Sequence, residues 1–192
     1  MGVEDRINEF KADLVKNTTS FMVQKYITYG DCYALNQSQY FELKSIIANE
    51  YHLHPSQVLI VGSGKLGFSL VKRKRYHGFN SDSDIDVAIV SPDLFDRIWL
   101  EVFNYWKARY FWPEEEKFRS YLFRGWIRPD KLPPSSIFEI SHNWWEFFRE
   151  LTNSQTFGPF SIKAGLYKAW HFLECYQSTC IVECRQEIEG KI

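Results

Sequence analysis

Val58-Leu59-Ile60-Val61 is a short, wholly apolar, β-branched run stopped by Gly62-Ser63. It reads as a buried strand. Beyond an irregular basic excursion over residues 64–83 comes Asp84-Ile85-Asp86-Val87-Ala88-Ile89-Val90, which regains strand character. Its acids alternate first and the run is then fully apolar. A strand has period two, so side chains 84 and 86 point to one face. Asp82 shares that parity and extends the acidic edge if the strand starts early.

The flanking segments change period. Val3, Ile7, Phe10 and Leu14 recur at helical spacing, as do Phe41, Leu43, Ile46, Ile47 and Tyr51 in a second helix that Pro55 ends. Ser91-Pro92-Asp93 starts a third helix: Ser as N-cap, Pro at the first helical position, an acid in the first turn. Leu94, Phe95, Ile98, Trp99, Val102, Phe103 and Trp106 form its apolar face. Residues 113–126 read as a helix, and Ser141 as the cap of one through Leu151. Phe160-Ser161-Ile162 is a possible strand, and a long helix runs from about 164 to 190. The expectation is an α+β (α/β) single domain over 1–192: a small mixed β-sheet flanked by helices, with N- and C-terminal helices. The first strand pair is antiparallel or mixed.

Composition narrows the function. The 192 residues carry 23 Lys plus Arg and 24 Asp plus Glu, a net charge of −1, so no global basic field exists to grip duplex DNA. Aromatic residues make up 18%, which argues against disorder. The rings fill the core or serve a partner surface; Trp106, Tyr110, Phe111 and Trp112 cluster at a helix end. Cys32, Cys175, Cys180 and Cys184 lack the spacing of a structural zinc site. No signal peptide and no membrane span is expected, and the chain reads as cytoplasmic.

Gly62-Ser63-Gly64-Lys65-Leu66-Gly67 fits G-x-G-x-x-G by letter. A dinucleotide-binding domain, however, wants a long helix from the glycines and an acid at the carboxyl end of the second strand. Here the segment breaks at Lys72-Arg73-Lys74-Arg75, and the acids open the strand. That alternative requires a helix from about Ser63 to Arg75. A P-loop lacks its upstream glycine and its Ser/Thr. The same residues read better as a cradle for a metal and a phosphate chain. Two adjacent carboxylates repel, and a hard divalent cation relieves them while taking phosphate oxygens as further ligands. A small Gly-Ser pair lets backbone and hydroxyl approach those oxygens.

Gly62-Ser63 on one strand and Ser83-Asp84-Ile85-Asp86-Val87 on the next resemble the G-S … S-D-I-D-[LV] signature of the nucleotidyltransferase superfamily, which shares the DNA polymerase beta catalytic fold. The resemblance covers residues 58–91. It implies an NTP with its triphosphate against Gly62 and Ser63, and Mg2+ (or Mn2+) held by Asp84 and Asp86. It implies nucleotidyl transfer to a hydroxyl of a tRNA end or another RNA, a protein, or a nucleotide. The superfamily includes proteins of toxin–antitoxin modules and of phage defence.

A third carboxylate on a later strand usually helps deprotonate the acceptor. Glu139, in Ile137-Phe138-Glu139-Ile140, is the best substitute if that segment is a strand; Asp130 is a weaker one. Without one, the chain is a catalytically impaired binding or regulatory subunit. Gly64 and Lys65 follow the turn and are further nucleotide-binding candidates, as is Lys163 if its strand faces the site. Lys72, Arg73, Lys74 and Arg75 form a solvated loop or a nucleic-acid contact.

Overall fold

The computed structural model describes residues 2–190. Helix α1 (Val3–Lys16), α2 (Thr19–Val23) with a π-helical extension over Gln24–Thr28, and α3 (Gln37–Tyr51) precede strand β1 (Val58–Val61). A single helical turn, α4 (Gly62–Leu66), follows, then β2 (Ile85–Val90), α5 (Pro92–Lys107) and α6 (Glu115–Phe123). The chain closes with β3 (Trp126–Ile127), α7 (Glu139–Asn153), β4 (Ile162–Tyr167) and α8 (Trp170–Ile188).

The sheet order is β1-β2-β4-β3. β1 and β2 are antiparallel, with Val61 opposite Asp86. β2 and β4 are parallel, with Asp86 opposite Lys163. β3 pairs only with Leu166 and Tyr167, so the Lys163–Gly165 edge of β4 lies open.

Both faces of the sheet are covered, which is why β1 and the part of β2 beyond Asp86 are continuous apolar runs. Ile85, Val87 and Ile89 join Val58 and Ile60 in a core with α3, α5 and α7. Ala88 and Val90 join Leu59 and Val61 in a second core with α1, α2 and α8. Each large side chain so buried contributes about 1.5–3 kcal/mol. Asp86 breaks the second face, so it is exposed at the sheet end rather than covered.

The Ser91 hydroxyl caps α5 by accepting from the Leu94 N–H at 3.2 Å. Only Leu94, Phe95, Ile98 and Val102 of that helix are buried; Trp99, Phe103 and Trp106 are not. Several expected elements shift. Residues 164–167 are strand rather than the start of the last helix, because β4 needs them to pair with β2; α8 begins at Trp170. The helix expected over 113–126 is shorter, since Gly125 turns at φ +64° and leads into β3. Ser141 caps nothing and is buried within α7. The dinucleotide-binding alternative loses its helix: Gly67 stops α4 at φ +89°, and β1 and β2 are antiparallel where that motif needs parallel strands. No described helix is long and apolar enough to cross a membrane.

Candidate functional site

The bend after β1 and the start of β2 meet because Val61 pairs with Asp86. Gly62 adopts φ +64°, a conformation that disfavours side chains, and a β-carbon there would lie 3.1 Å from Oδ2 of Asp86. The glycine therefore serves both the turn and the close approach to the carboxylate. Ser63 stands beside it on the same cleft, with a hydroxyl that bonds no described residue.

Asp84 sits one residue ahead of β2, where the Ile85 N–H already pairs with the Ser161 carbonyl at 2.9 Å. Its charge reaches Asp86. Burial by the surrounding walls, then repulsion from Asp84, push the Asp86 carboxyl up from 3.8 to about 6, and the Lys163 ammonium partly offsets them. Solvent touches Asp86, yet the walls around it are protein; a carboxylate on the floor of a cleft meets both conditions. Lys163, opposite Asp86 on β4, donates to Oδ2 of Asp84 at 2.6 Å. The position facing the aspartates across the parallel pair thus holds a cation.

The cleft above these groups is about 570 Å³, within the range of about 300–1,000 Å³ typical of ligand pockets. It runs from the Gly62-Ser63 bend to an aromatic end and around the open edge of β4, where Trp144 and Trp145 line it. At the aromatic end Trp126 stacks on Tyr167 at 5.4 Å and 7°, and Tyr176 lies 4.4 Å from Trp126. Gly165 makes room for this cluster, since a β-carbon there would be 2.7 Å from the Trp126 indole nitrogen. That indole N–H is buried and unpartnered. Arg128 lies over the Trp126 ring at 5.3 Å. The Asp86 charge is felt by Tyr167 and Tyr176, whose phenols are raised chiefly by burial.

Gly62, Ser63, Asp86 and Lys163 thus line one cleft, with Asp84 tied to it through Lys163. Gly64 and Lys65 do not. Gly64 is buried, a β-carbon there lying 3.3 Å from Ile60 Cγ2. Lys65 turns away from the cleft: its ammonium donates to the Tyr29 and Gly30 carbonyls, both at 2.6 Å, and burial pulls it down to about 8. It fastens the segment before α3 rather than reaching for phosphate.

Glu139 stands apart from the cleft too. Its segment is not a strand; Glu139 is the exposed first residue of α7 and lines no part of the cleft. Asp130 lines the cleft, but Arg128 holds both its oxygens at 3.0 Å and Lys131 lies 3.2 Å away. Asp82 lies in a turn. Arg75 separates from its basic neighbours, bonding Glu183 at 3.0 Å and Glu187, while Lys72, Arg73 and Lys74 are exposed. Of the aromatic group at the end of α5, Trp106, Tyr110 and Phe111 are exposed, whereas Trp112 is buried and donates to the Lys131 carbonyl at 2.8 Å.

Among the described residues no group of three or more His, Cys, Asp or Glu side chains could hold a metal unaided. Asp84 and Asp86 nonetheless suit a hard cation that takes its remaining ligands from water and phosphate. The Asp86 carboxyl is raised first by burial and then by the Asp84 charge, and the lysine bonds Asp84 only. Tyr176, Trp126, Arg128 and Gln177 were not singled out by sequence reasoning as site residues. Comparison with family models, curated proteins and solved structures finds no match for this chain.

Proposed function

We propose that the protein is a metal-dependent nucleotidyltransferase. The observation that carries the reading is the apposition of Gly62 and Asp86, with Asp84 close enough to perturb the Asp86 carboxyl. It gathers in one place the groups that the resemblance assigns to NTP binding.

Asp84 and Asp86 would hold Mg2+ or Mn2+. Bound there, the ion would neutralise charge on the α-phosphate and on the departing pyrophosphate. Ser63 offers its hydroxyl to phosphate oxygens, and the absent side chain of Gly62 leaves them room. Lys163 adds a mobile cation; its ammonium is exposed enough to exchange Asp84 for phosphate. In the transfer, an acceptor hydroxyl oxygen forms a bond to the α-phosphorus, the bond to pyrophosphate breaks, and the acceptor's proton passes to water.

That proton favours a second reading. The position opposite Asp86 is Lys163 rather than a carboxylate, and Asp130 is already engaged by Arg128. A chain so built binds nucleotide and acts as a catalytically impaired regulatory subunit. Incubation with α-labelled NTPs, Mg2+ or Mn2+ and total RNA distinguishes the two. Label that moves to RNA or protein, and is lost in Asp84→Ala and Asp86→Ala, supports the transferase. NTP binding without transfer supports the subunit. Absence of both rejects the nucleotide reading.

A further inference from the structure

Gln177 is a polar side chain of the cleft that the site described above does not use. It lies on α8, only 9% exposed, and lines the same cleft as Asp86. Its carboxamide bonds no described residue, although its atoms are not sealed from the cleft. Its neighbours behave differently: Ser178 and Thr179 return their hydroxyls to the carbonyls of Glu174 and Cys175. A buried primary amide without partners is uncommon, because its lost hydration is not replaced. Here the missing partner has room to enter from the cleft.

The preceding residue supplies a surface for a planar ligand. Tyr176 is half exposed and braced by Trp126, which is itself stacked on Tyr167. Aromatic side chains so arranged take nucleobases by stacking. A carboxamide presents one donor and one acceptor side by side, which matches the N6 amino group and N7 of adenine. On that edge guanine offers two acceptors, O6 and N7, so the amide carbonyl would face an acceptor, and guanine would have to turn its O6 and N1–H edge to the amide to pair.

We infer that Gln177, with Tyr176 as its stacking partner, forms a nucleobase subsite that selects adenine. The inference rests on the nucleotide reading proposed above and names the substrate within it.

The test is calorimetric titration of the full chain with ATP, GTP and inorganic tripolyphosphate, each with Mg2+. The wild type is expected to bind ATP roughly tenfold more tightly than GTP, the scale of one bidentate base contact. Gln177→Leu should abolish this preference and leave tripolyphosphate binding unchanged, with circular dichroism checking its fold. Gln177→Glu keeps the shape but loses the donor and adds a negative charge, so it too should lose the preference for ATP over GTP, whatever its effect on tripolyphosphate. Equal binding of ATP and GTP by the wild type, or a preference that survives both variants, overturns the inference while tripolyphosphate binding leaves the phosphate site standing. If neither nucleotides nor tripolyphosphate bind, the nucleotide reading fails and this inference falls with it.

Discussion

The ammonium of Lys163 stands 2.6 Å from Oδ2 of Asp84, while its own backbone lies opposite Asp86 in the parallel pairing of β2 and β4. One cation thereby serves two carboxylates unequally, bonding the first and only softening the charge of the second. Both members of the pair are partly exposed, so the contact is worth up to about 1 kcal/mol.

That limit predicts the effect of removing the lysine. Lys163→Ala frees Asp84, and Mn2+ affinity without nucleotide should rise up to about fivefold. Triphosphate affinity should fall, because the cation that the proposed function turns toward the phosphate chain is gone. Paramagnetic resonance of Mn2+ reads the first effect and calorimetry the second. An unchanged Mn2+ affinity would mean that the pair does not compete with metal.

Asp86 predicts a pH-dependent stability in metal-free buffer. Its folded carboxyl titrates at about 6 against an ordinary 3.8, so between these values the folded state holds more proton than the unfolded state. Stability therefore falls as pH rises through that window. The whole shift would amount to about 3 kcal/mol. Solvent contact screens it, so about 1 kcal/mol is expected. Asp86→Asn should raise Tm by about 2–4 °C at pH 7.5 and by nothing below pH about 4. A variant that loses stability at pH 7.5 would contradict the assigned environment.

Gly62→Ala tests the bend. A residue with a side chain at φ +64°, 3.1 Å from a carboxylate oxygen, should destabilise the fold by about 1–2 kcal/mol in urea. Gly30→Ala is the control, since φ there is also positive but a β-carbon would meet nothing within 4 Å. Equal losses in the two variants would leave the approach to Asp86 without consequence.

Arg75 and its neighbours should part company. Arg75→Met breaks contacts to Glu183, Glu187 and the Leu70 carbonyl from a largely buried position, costing about 1.5–3 kcal/mol. Replacing Lys72, Arg73 and Lys74 together by Gln should leave thermal stability unchanged while weakening any RNA binding. Thermal melts and a salt-dependent RNA titration check both halves.

The parts of this architecture legible in the sequence are those whose signal is local. β1 and the stretch of β2 after Asp86 are apolar runs of strand length, and Ser91-Pro92 starts a helix by cap chemistry. What escaped depends on partners distant in the chain. β3 has two residues, too few for any pattern, and exists only because β4 receives it. Residues 164–167 carry small and aromatic side chains that fit a helix stripe as well as a strand until β2 pairs with them. Lys65 follows the glycine turn in sequence, but the turn of α4 aims it at Tyr29 and Gly30. Gln177 shows no sign in the sequence, because an amide in a helix acquires meaning only from the cleft it meets.

The account depends on Asp84 and Asp86 acting together to hold a cation and the phosphate chain of a nucleotide. Calorimetric titration of Mg2+·ATP into wild type and into the doubly substituted Asp84→Asn, Asp86→Asn protein measures this directly. The wild type should bind, with affinity that depends on Mg2+, and the isosteric double variant should lose that binding while remaining folded. Equal binding by the two proteins would contradict the account.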